Sequence, residues 1–375
     1  MSERRSRRAH DGVLDWRSIG EFVREGVMVA VPLCFPGQTV PPPAGETAIT
    51  TLAIDPLRTV YCGTAGNAAH VLAAMIHQDS GIVFDLGVVP DATSVDALAV
   101  TGDGLAILAT GPGGTALWRT ERFSKNFLIQ EWTIRRPPIE KVADVFAPDT
   151  TPAAAASLNG RMLVGLSAPS GELFRLDLAT GECTTVAAVD EHGRFGRAVV
   201  LDSSGRLWGS AANARLWVYD PEAGRLEKTG IEAVAAAGRS QHSQVSAWAP
   251  APGTGLLYGG TEPDGFVFRF DPARGEMTPL GKPTRCEPVT CMTVGNDGRV
   301  FGMTGGDDDL AHMFVHDPAS GALCDLGMSV AVLGERQYGY HFRCAATGRD
   351  GEIYFGQHER VNHLWVYFPA IRRAV

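Results

Sequence analysis

Apolar and polar positions along the chain form short runs that recur in one order. Each copy has an aromatic-glycine run, a loop, and an apolar run that ends in Asp, with a glycine four residues after it. Short runs of β-branched and aromatic residues between turn residues predict β-strands. The apolar runs of the copies end at Asp177, Asp220, Asp271 and Asp317, and the glycines that follow are Gly181, Gly224, Gly275 and Gly321.

Tight-turn dipeptides mark the strand pairs within these copies, as in two-residue hairpins. Their glycines at positions 104, 160, 205, 255, 298 and 351 are separated by 56, 45, 50, 43 and 53 residues. A period of this size, built from four short strands, is typical of a β-propeller, whose blades bury their faces only against neighbouring blades. Another copy begins at residues 60–63, so seven copies are visible. The sequence therefore predicts an all-β, seven-bladed β-propeller.

The seventh copy is incomplete, because the 24 residues after Gly351 suffice for its second and third strands but not for a fourth. Residues 27–33 (VMVAVPL) form an unassigned apolar run, and we expect this N-terminal strand to complete the last blade. Closure of the ring removes unpaired sheet edges. We expect one propeller domain over residues 26–375. Before it, residues 1–25 form an extension in which Asp15 is the expected N-cap of a short helix.

Composition and charge narrow the class of protein. Hydrophobic residues make up 45% of the chain and glycines number 44, which fits one large turn-rich domain. The net charge of −9 argues against a nucleic-acid partner. Seven cysteines without a CxxC pair predict reduced thiols, with Cys286 and Cys291 as an alternative ligand pair. The arginine-rich start lacks the apolar run of a secretory signal, so we expect a cytoplasmic protein that does not enter membranes.

Irregular loops carry most of the reactive side chains. In a propeller, the loops before the first strand and between the second and third strands open on one face, where we expect function. Counting 13 residues back from the hairpin glycines reaches His192, His242, Arg285 and Tyr338 in four successive blades. Imidazoles, a guanidinium and a phenol around one axis favour an acid–base site for an anionic ligand. Further expected ligand contacts are Arg239, Gln241, Tyr340, His341, Arg343 and Arg360.

Structural roles for these residues remain open as alternatives, with the histidines as hydrogen-bonding residues and the arginines as rim ion pairs. His358 and His363 are candidate ligands for a divalent metal, together with His341 or His242. Residues 307–309 (DDD) predict a solvated acidic loop, with a calcium site as the alternative. The chain lacks a G-x-S-x-G elbow, a P-loop and a dinucleotide fingerprint, which disfavours serine-hydrolase, nucleotide and hydride chemistry.

The repeat carries a family resemblance over about residues 50–370. Runs such as residues 205–209 (GRLWG) and 216–221 (LWVYDP) resemble the bacterial seven-bladed propellers that include polysaccharide and oligouronide lyases. The layout is also similar to that of the streptogramin lyases. This resemblance implies a carbon–oxygen lyase that acts by β-elimination on a uronate-containing oligosaccharide or a similar small anion.

Site roles also follow from the resemblance. It implies His242 as the base with His192 as its spare, Tyr338 as the acid, and Arg285 as the residue that neutralises the carboxylate. It further implies a metal site near Gln357, His358 and His363, although the ligand spacing of the oligogalacturonate lyases is not reproduced.

Two other classes of function remain open. The first is a non-catalytic propeller that binds a ligand or docks a protein. The second is a metal-dependent lactonase or hydrolase, which the mostly small and apolar innermost strands at residues 95–101, 152–158 and 198–202 disfavour. We expect the partner to be a small anionic carbohydrate-like ligand and the chain to be a monomer or a weak homo-oligomer.

Overall fold

A computed structural model describes most of the chain, in ten segments. They are residues 25–33, 42–77, 80–124, 128–130, 133–190, 193–285, 288–306, 310–333, 335–359 and 361–371. The extension over residues 1–24, with its expected helix, lies outside them. The described residues form 32 strands and two short 3-10 turns, at Ala212–Ala214 and Ser240–His242, so the all-β expectation is confirmed.

Most strands belong to antiparallel units of four, which we number along the chain. Unit 1 contains β2 (Ala48–Ile54), β3 (Val60–Ala65), β4 (His70–His77) and β5 (Ser80–Val88). Unit 2 contains β6 (Ser94–Val100), β7 (Leu105–Gly111), β8 (Gly114–Thr120) and β11 (Glu140–Phe146). The hairpin of β9 (Leu128–Gln130) and β10 (Thr133–Ile134) lies between β8 and β11 in the chain. Unit 3 contains β12 (Thr151–Leu158), β13 (Met162–Ala168), β14 (Glu172–Asp177) and β15 (Cys183–Ala188).

The second half of the chain continues the arrangement. Unit 4 contains β16 (Val200–Leu201), β17 (Leu207–Ser210), β18 (Arg215–Asp220) and β19 (Arg225–Glu232). Unit 5 contains β20 (Gln244–Pro250), β21 (Leu257–Glu262), β22 (Val267–Asp271) and β23 (Glu276–Gly281). Unit 6 contains β24 (Val289–Val294), β25 (Val300–Thr304), β26 (His312–His316) and β27 (Leu323–Met328). After the hairpin of β28 (Val330–Leu333) and β29 (Glu335–Tyr338), unit 7 contains β30 (Phe342–Thr347), β31 (Ile353–Gln357), β32 (His363–Pro369) and β1 (Gly26–Pro32).

Unit 7 combines the two ends of the chain. Its fourth strand is β1, which lies antiparallel to β32 with Ala30 opposite Trp365 and Met28 opposite Tyr367. Ala30, Trp365 and Tyr367 are fully buried in one core cluster, so this pairing contributes to the core.

Turn chemistry fixes the hairpins that the sequence predicted. In unit 4, Asp202 Oδ1 accepts hydrogen bonds from the backbone N–H groups of Ser204 and Arg206, at 2.8 and 3.1 Å, and Gly205 has a φ of +81°. The Asp-Pro turns use the same device: Asp271 Oδ1 accepts from Ala273 N at 3.0 Å and Gly275 N donates to Asp271 O at 2.8 Å. Side-chain acceptors and left-handed glycines therefore set these turns locally.

The glycine in the second strand of each copy has a packing role. Gly209 lies opposite Trp217 on the third strand, and a Cβ on Gly209 would come within 2.2 Å of the indole. In unit 5, the corresponding distance is 2.1 Å for Gly259 and the ring of Phe268. These large rings fold over the neighbouring strand, which must therefore lack a side chain at that point.

The first strand of each unit contacts the first strands of the next and previous units. We call β2, β6, β12, β16, β20, β24 and β30 the inner strands; each contacts the next, and β30 contacts β2. In six of them the register with the second strand shifts at one extra residue, as in a β-bulge. These bulge residues are Thr50, Asp96, Ala153, Ser246, Thr290 and Arg343.

Candidate functional site

Several expected site residues lie outside the described segments. His192 and Arg360 are among them, as are Cys286 and residues 307–309. Their predicted roles remain predictions.

His242, Gln241 and Arg239 lie together at the 3-10 turn between β19 and β20. His242 and Gln241 are exposed. Arg239 Nε is 3.3 Å from Oδ1 of the buried Asp264, whose Oδ2 accepts a hydrogen bond from Ala236 N at 3.1 Å. Arg239 is therefore engaged in an ion pair that fixes this connection.

Arg285 and Tyr338 lie on the connections that precede units 6 and 7. Arg285 is exposed between β23 and β24, and no ion pair of it is found within the described segments. Tyr338 ends β29 with 41% of its surface exposed, and its carbonyl accepts a hydrogen bond from the buried Gln357 Nε2 at 3.2 Å. The described contacts do not join His242, Arg285 and Tyr338 into one constellation.

Unit 7 brings other predicted residues together. One carboxylate oxygen of Glu359 accepts hydrogen bonds from the backbone N–H groups of Tyr340, at 2.6 Å, and His341, at 2.9 Å. His358 N donates to His341 O at 2.9 Å. The loop that enters β30 and the loop between β31 and β32 are thereby fastened to each other.

The His358 imidazole has a defined hydrogen-bonding state. Its Nδ1 lies 3.3 Å from the carbonyl oxygen of Ile49 on β2. Because a carbonyl oxygen only accepts, Nδ1 carries the proton and Nε2 of the neutral ring is left with its lone pair. Burial, together with the charge of Arg343, lowers the pKa of His358. A neutral imidazole with an available Nε2 is the form required of a general base.

Arg343 is the bulge residue of inner strand β30. Its guanidinium is exposed and has no ion pair or hydrogen bond among the described residues. Its charge acts on His358 and also on Asp96, the bulge residue of β6. Arg343 is therefore an exposed, charged side chain on an inner strand.

Asp96 was not among the predicted site residues. Its carboxylate accepts hydrogen bonds from Ser94 Oγ at 2.8 Å and Thr110 Oγ1 at 2.5 Å. Burial raises the pKa of Asp96, although the two hydroxyl donors and Arg343 oppose that effect. The view of the inner strands as small and apolar overlooked this side chain.

Arg197 and Glu262 form a second pair of an arginine and a carboxyl that were not among the predicted site residues. Arg197 is exposed in the segment that leads into β16, next to Gly196, whose N–H donates to Ser210 O at 2.9 Å. Its charge acts on Glu262 at the end of β21, and Glu262 accepts a hydrogen bond from Gln244 Nε2 at 2.8 Å. Burial raises the pKa of Glu262.

A sequence signal for these residues exists at a different spacing. The residues eight positions before a hairpin glycine include Asp96, Thr290 and Arg343 on inner strands and Arg197 in the segment that leads into β16. Residues 13 positions before a hairpin glycine lie in connecting loops, whose lengths differ between units. Residues eight positions before it lie on or next to the first strand of the hairpin, where the spacing is more regular.

His358 and His363, the expected metal ligands, each have one ring nitrogen in a hydrogen bond. His363 Nδ1 lies 3.2 Å from Gln357 Oε1, while Nδ1 of His358 faces Ile49 O, so neither Nδ1 is available to an ion. Burial lowers the pKa of His363. In the segments that the structure describes, no three His, Cys, Asp or Glu side chains are grouped so as to hold a metal. Each imidazole keeps its Nε2 as a donor atom, so the metal-binding role of His358 and His363 stays a prediction.

Comparisons with known proteins support the fold. No protein-family model and no curated protein match the chain. A catalytically inactive virginiamycin B lyase from Staphylococcus aureus, with quinupristin, superposes with a TM-score of 0.64 at 13% identity, over 91% of this chain and 99% of that one. The WD40 repeats of RRP9 give 0.56 at 12% identity, over 92% and 99%.

The extracellular domain of BT4673 from B. thetaiotaomicron gives a TM-score of 0.62 at 10% identity over 91% of this chain. This chain spans 40% of the BT4673 chain. At such identities the likeness establishes the fold, which is that of the all-β propeller proteins. Among the described residues, no helix has the length and apolar character to cross a membrane.

Proposed function

We propose that the seven units are the blades of a closed propeller. Two observations support closure: β1 completes the sheet of β32, and inner strand β30 contacts inner strand β2. The inner strands then surround a channel, and the bulge residues form one ring along its wall.

We further propose that the chain is a carbon–oxygen lyase for a small carboxylate, with a uronate-containing oligosaccharide as the substrate class. The observation that carries this proposal is His358, whose proton is held on Nδ1 by Ile49 O while Nε2 remains available beside the unpaired Arg343. This assignment replaces His242 by His358 as the base and Arg285 by Arg343 as the cation. It draws on the same kinds of side chain that the sequence indicated.

The proposed reaction follows from the chemistry of a carboxylate substrate. Arg343 binds the carboxylate and stabilises the negative charge that develops when the neighbouring carbon loses its proton. His358 Nε2 takes that proton, the C–H electron pair forms a carbon–carbon double bond, and the β-carbon–oxygen bond breaks. The leaving oxygen takes a proton from Tyr338, the acid that the sequence predicted, which is exposed at the end of the hairpin that precedes blade 7.

The test uses the ultraviolet absorbance of the double bond conjugated to the carboxylate, which hydrolysis does not create. A panel of uronate oligosaccharides should give rising absorbance, and His358→Gln should lower turnover by roughly 100-fold or more. His312→Gln is the matched control, because His312 lies on β26 and pairs with Asp325. Activity that survives His358→Gln but not His242→Ala would restore the original assignment.

The pH profile provides a second readout of the same experiment. Because the pKa of His358 is lowered, the rise of kcat/KM with pH should have its midpoint below the ordinary histidine pKa of about 6.5. Arg343→Gln should move that midpoint upward, since the neighbouring positive charge is removed.

A non-catalytic ligand-binding propeller is the second candidate. Tyr340 and Val361 are exposed on loops of blade 7, and Tyr338 is exposed on the hairpin that precedes it. Exposed apolar side chains of this kind are typical of binding surfaces. Ligand binding without any absorbance change across the panel would favour this function over the lyase.

A further inference from the structure

Arg197 and Arg343 occupy equivalent places in the proposed ring. Each precedes its hairpin glycine by eight residues, and each lies in the first segment of its blade. Arg197 is next to Gly196, where a Cβ would lie 2.6 Å from Val245 O on inner strand β20, so this segment runs against the inner wall. The two arginines belong to blades 4 and 7, which are nearly opposite in a ring of seven.

Both guanidiniums lack a protein partner in the segments that the structure describes, whereas several other arginines of this acidic chain are paired. Arg206 pairs with Asp202 at 3.0 Å, and Arg299 pairs with Asp297 at 2.6 Å. Arg197 and Arg343 are exposed and make no ion pair or side-chain hydrogen bond with any described residue. Their N–H donors are therefore free for a ligand, and a planar guanidinium suits a carboxylate.

The nearby carboxyls are occupied by neutral donors. Asp96 is hydrogen-bonded by Ser94 and Thr110, and Glu262 is hydrogen-bonded by Gln244. Burial also makes the charged form of each carboxyl less favourable. Two positive charges therefore face the channel without full compensation.

We propose that the channel binds a ligand with two anionic groups, one held by Arg343 and the other by Arg197. This inference deepens the proposed function, on which it rests for the ring and for the carboxylate at Arg343. It specifies a substrate with a second anionic group at a distance comparable to the width of the channel. An oligomer with a carboxylate on more than one unit meets this requirement, and a single uronate does not.

Calorimetric titration of the full chain at low salt tests the inference without turnover. The probes are linear dicarboxylates from succinate to suberate, with hexanoate as the monocarboxylate. At least one dicarboxylate should bind about 10-fold or more tightly than hexanoate, and Arg197→Gln and Arg343→Gln should each abolish this advantage. In the double variant the losses should not add, because both arginines act on one ligand. Arg161→Gln, at the exposed hairpin between β12 and β13, should leave binding unchanged.

The inference fails if no dicarboxylate binds more tightly than hexanoate, or if Arg197→Gln leaves the preference intact. Its failure is distinguishable from that of the lyase proposal. A dicarboxylate preference in a protein without elimination activity would overturn only the lyase. Elimination that is insensitive to Arg197→Gln would overturn only the second anionic subsite.

Discussion

At the scale of single residues, the bulge position of the inner strands separates structural from chemical roles. Two of the small polar bulge residues link neighbouring units: Thr50 Oγ1 donates to Val95 O at 2.5 Å, and Ser246 Oγ donates to Val289 O at 2.6 Å. Where the bulge residue is Arg343, the side chain instead reaches solvent. At these residues the bulge position therefore carries either a hydrogen-bond donor between neighbouring units or an exposed charged side chain.

The buried His70 makes the stability of the protein depend on pH. It is 3% exposed, with Nδ1 3.1 Å from Asp85 Oδ1 and Nε2 3.0 Å from Glu46 Oε2. Since carboxylates only accept hydrogen bonds, both ring nitrogens carry protons and the ring is an imidazolium. Burial lowers the pKa of His70, but Asp85 and Glu46 outweigh burial and the net pKa is raised.

A raised folded-state pKa stabilises the protein fully below the unfolded value of about 6.5, and that stabilisation is lost as pH rises through the folded-state pKa. The melting temperature of the wild type should therefore fall above pH 6.5 more steeply than that of Glu46→Gln, which removes one carboxylate. His70→Asn should cost about 3 kcal/mol near pH 6, because it leaves buried carboxylates without their cation. Arg136, 2.6 Å from Asp85, limits the loss.

His312→Asn is the control for His70→Asn, because the His312–Asp325 pair at 2.9 Å is partly exposed. Partly exposed pairs contribute less than about 1 kcal/mol. Equal pH dependence in the wild type and Glu46→Gln would contradict the imidazolium assignment.

At the scale of the element, β1 tests whether the N-terminal strand is integral to the last blade. Ala30→Asp places a charge in the cluster around Trp365 and Tyr367 and should cost about 3 kcal/mol or more, measured as a lower melting temperature. Val27→Asp is the matched control on the same strand, because Val27 is 61% exposed. A similar small effect of both substitutions would argue against closure by β1, as would an unchanged melting temperature after deletion of residues 1–34.

Strand elements were predictable because their determinants are local. The Asp turn residues, the left-handed glycines and the Gly209–Trp217 type of pair are all encoded within a few tens of residues. The site residues were less predictable, because their roles depend on contacts between units that are distant in the sequence. The hydrogen bond from His358 to Ile49 joins positions 309 residues apart, and it leaves Nε2 as the nitrogen through which His358 can act as a base or as a ligand.

At the scale of the whole molecule, charge is unevenly distributed. The chain has a net charge of −9, yet Arg343 on inner strand β30 and Arg197 just before inner strand β16 have no protein partners among the described residues. Some of the carboxylates serve turns, as at the buried Asp202 and the partly exposed Asp271. The negative total is compatible with an anionic ligand, because the proposed channel has the opposite sign.

The metal content of the purified protein depends on the donors near His358 and His363. The described donors near His358 and His363 do not form a ligand set, so we expect a chelator to leave the melting temperature unchanged. His363→Ala should lower stability by about 1 kcal/mol, through loss of the hydrogen bond to Gln357. That loss should be the same in chelator and in added divalent metal, because it does not involve an ion. If the chelator reproduces the effect of His363→Ala, and elemental analysis of the purified protein finds stoichiometric metal, then His363 is a ligand. The set would then be completed from residues outside the described segments, such as His192 or residues 307–309.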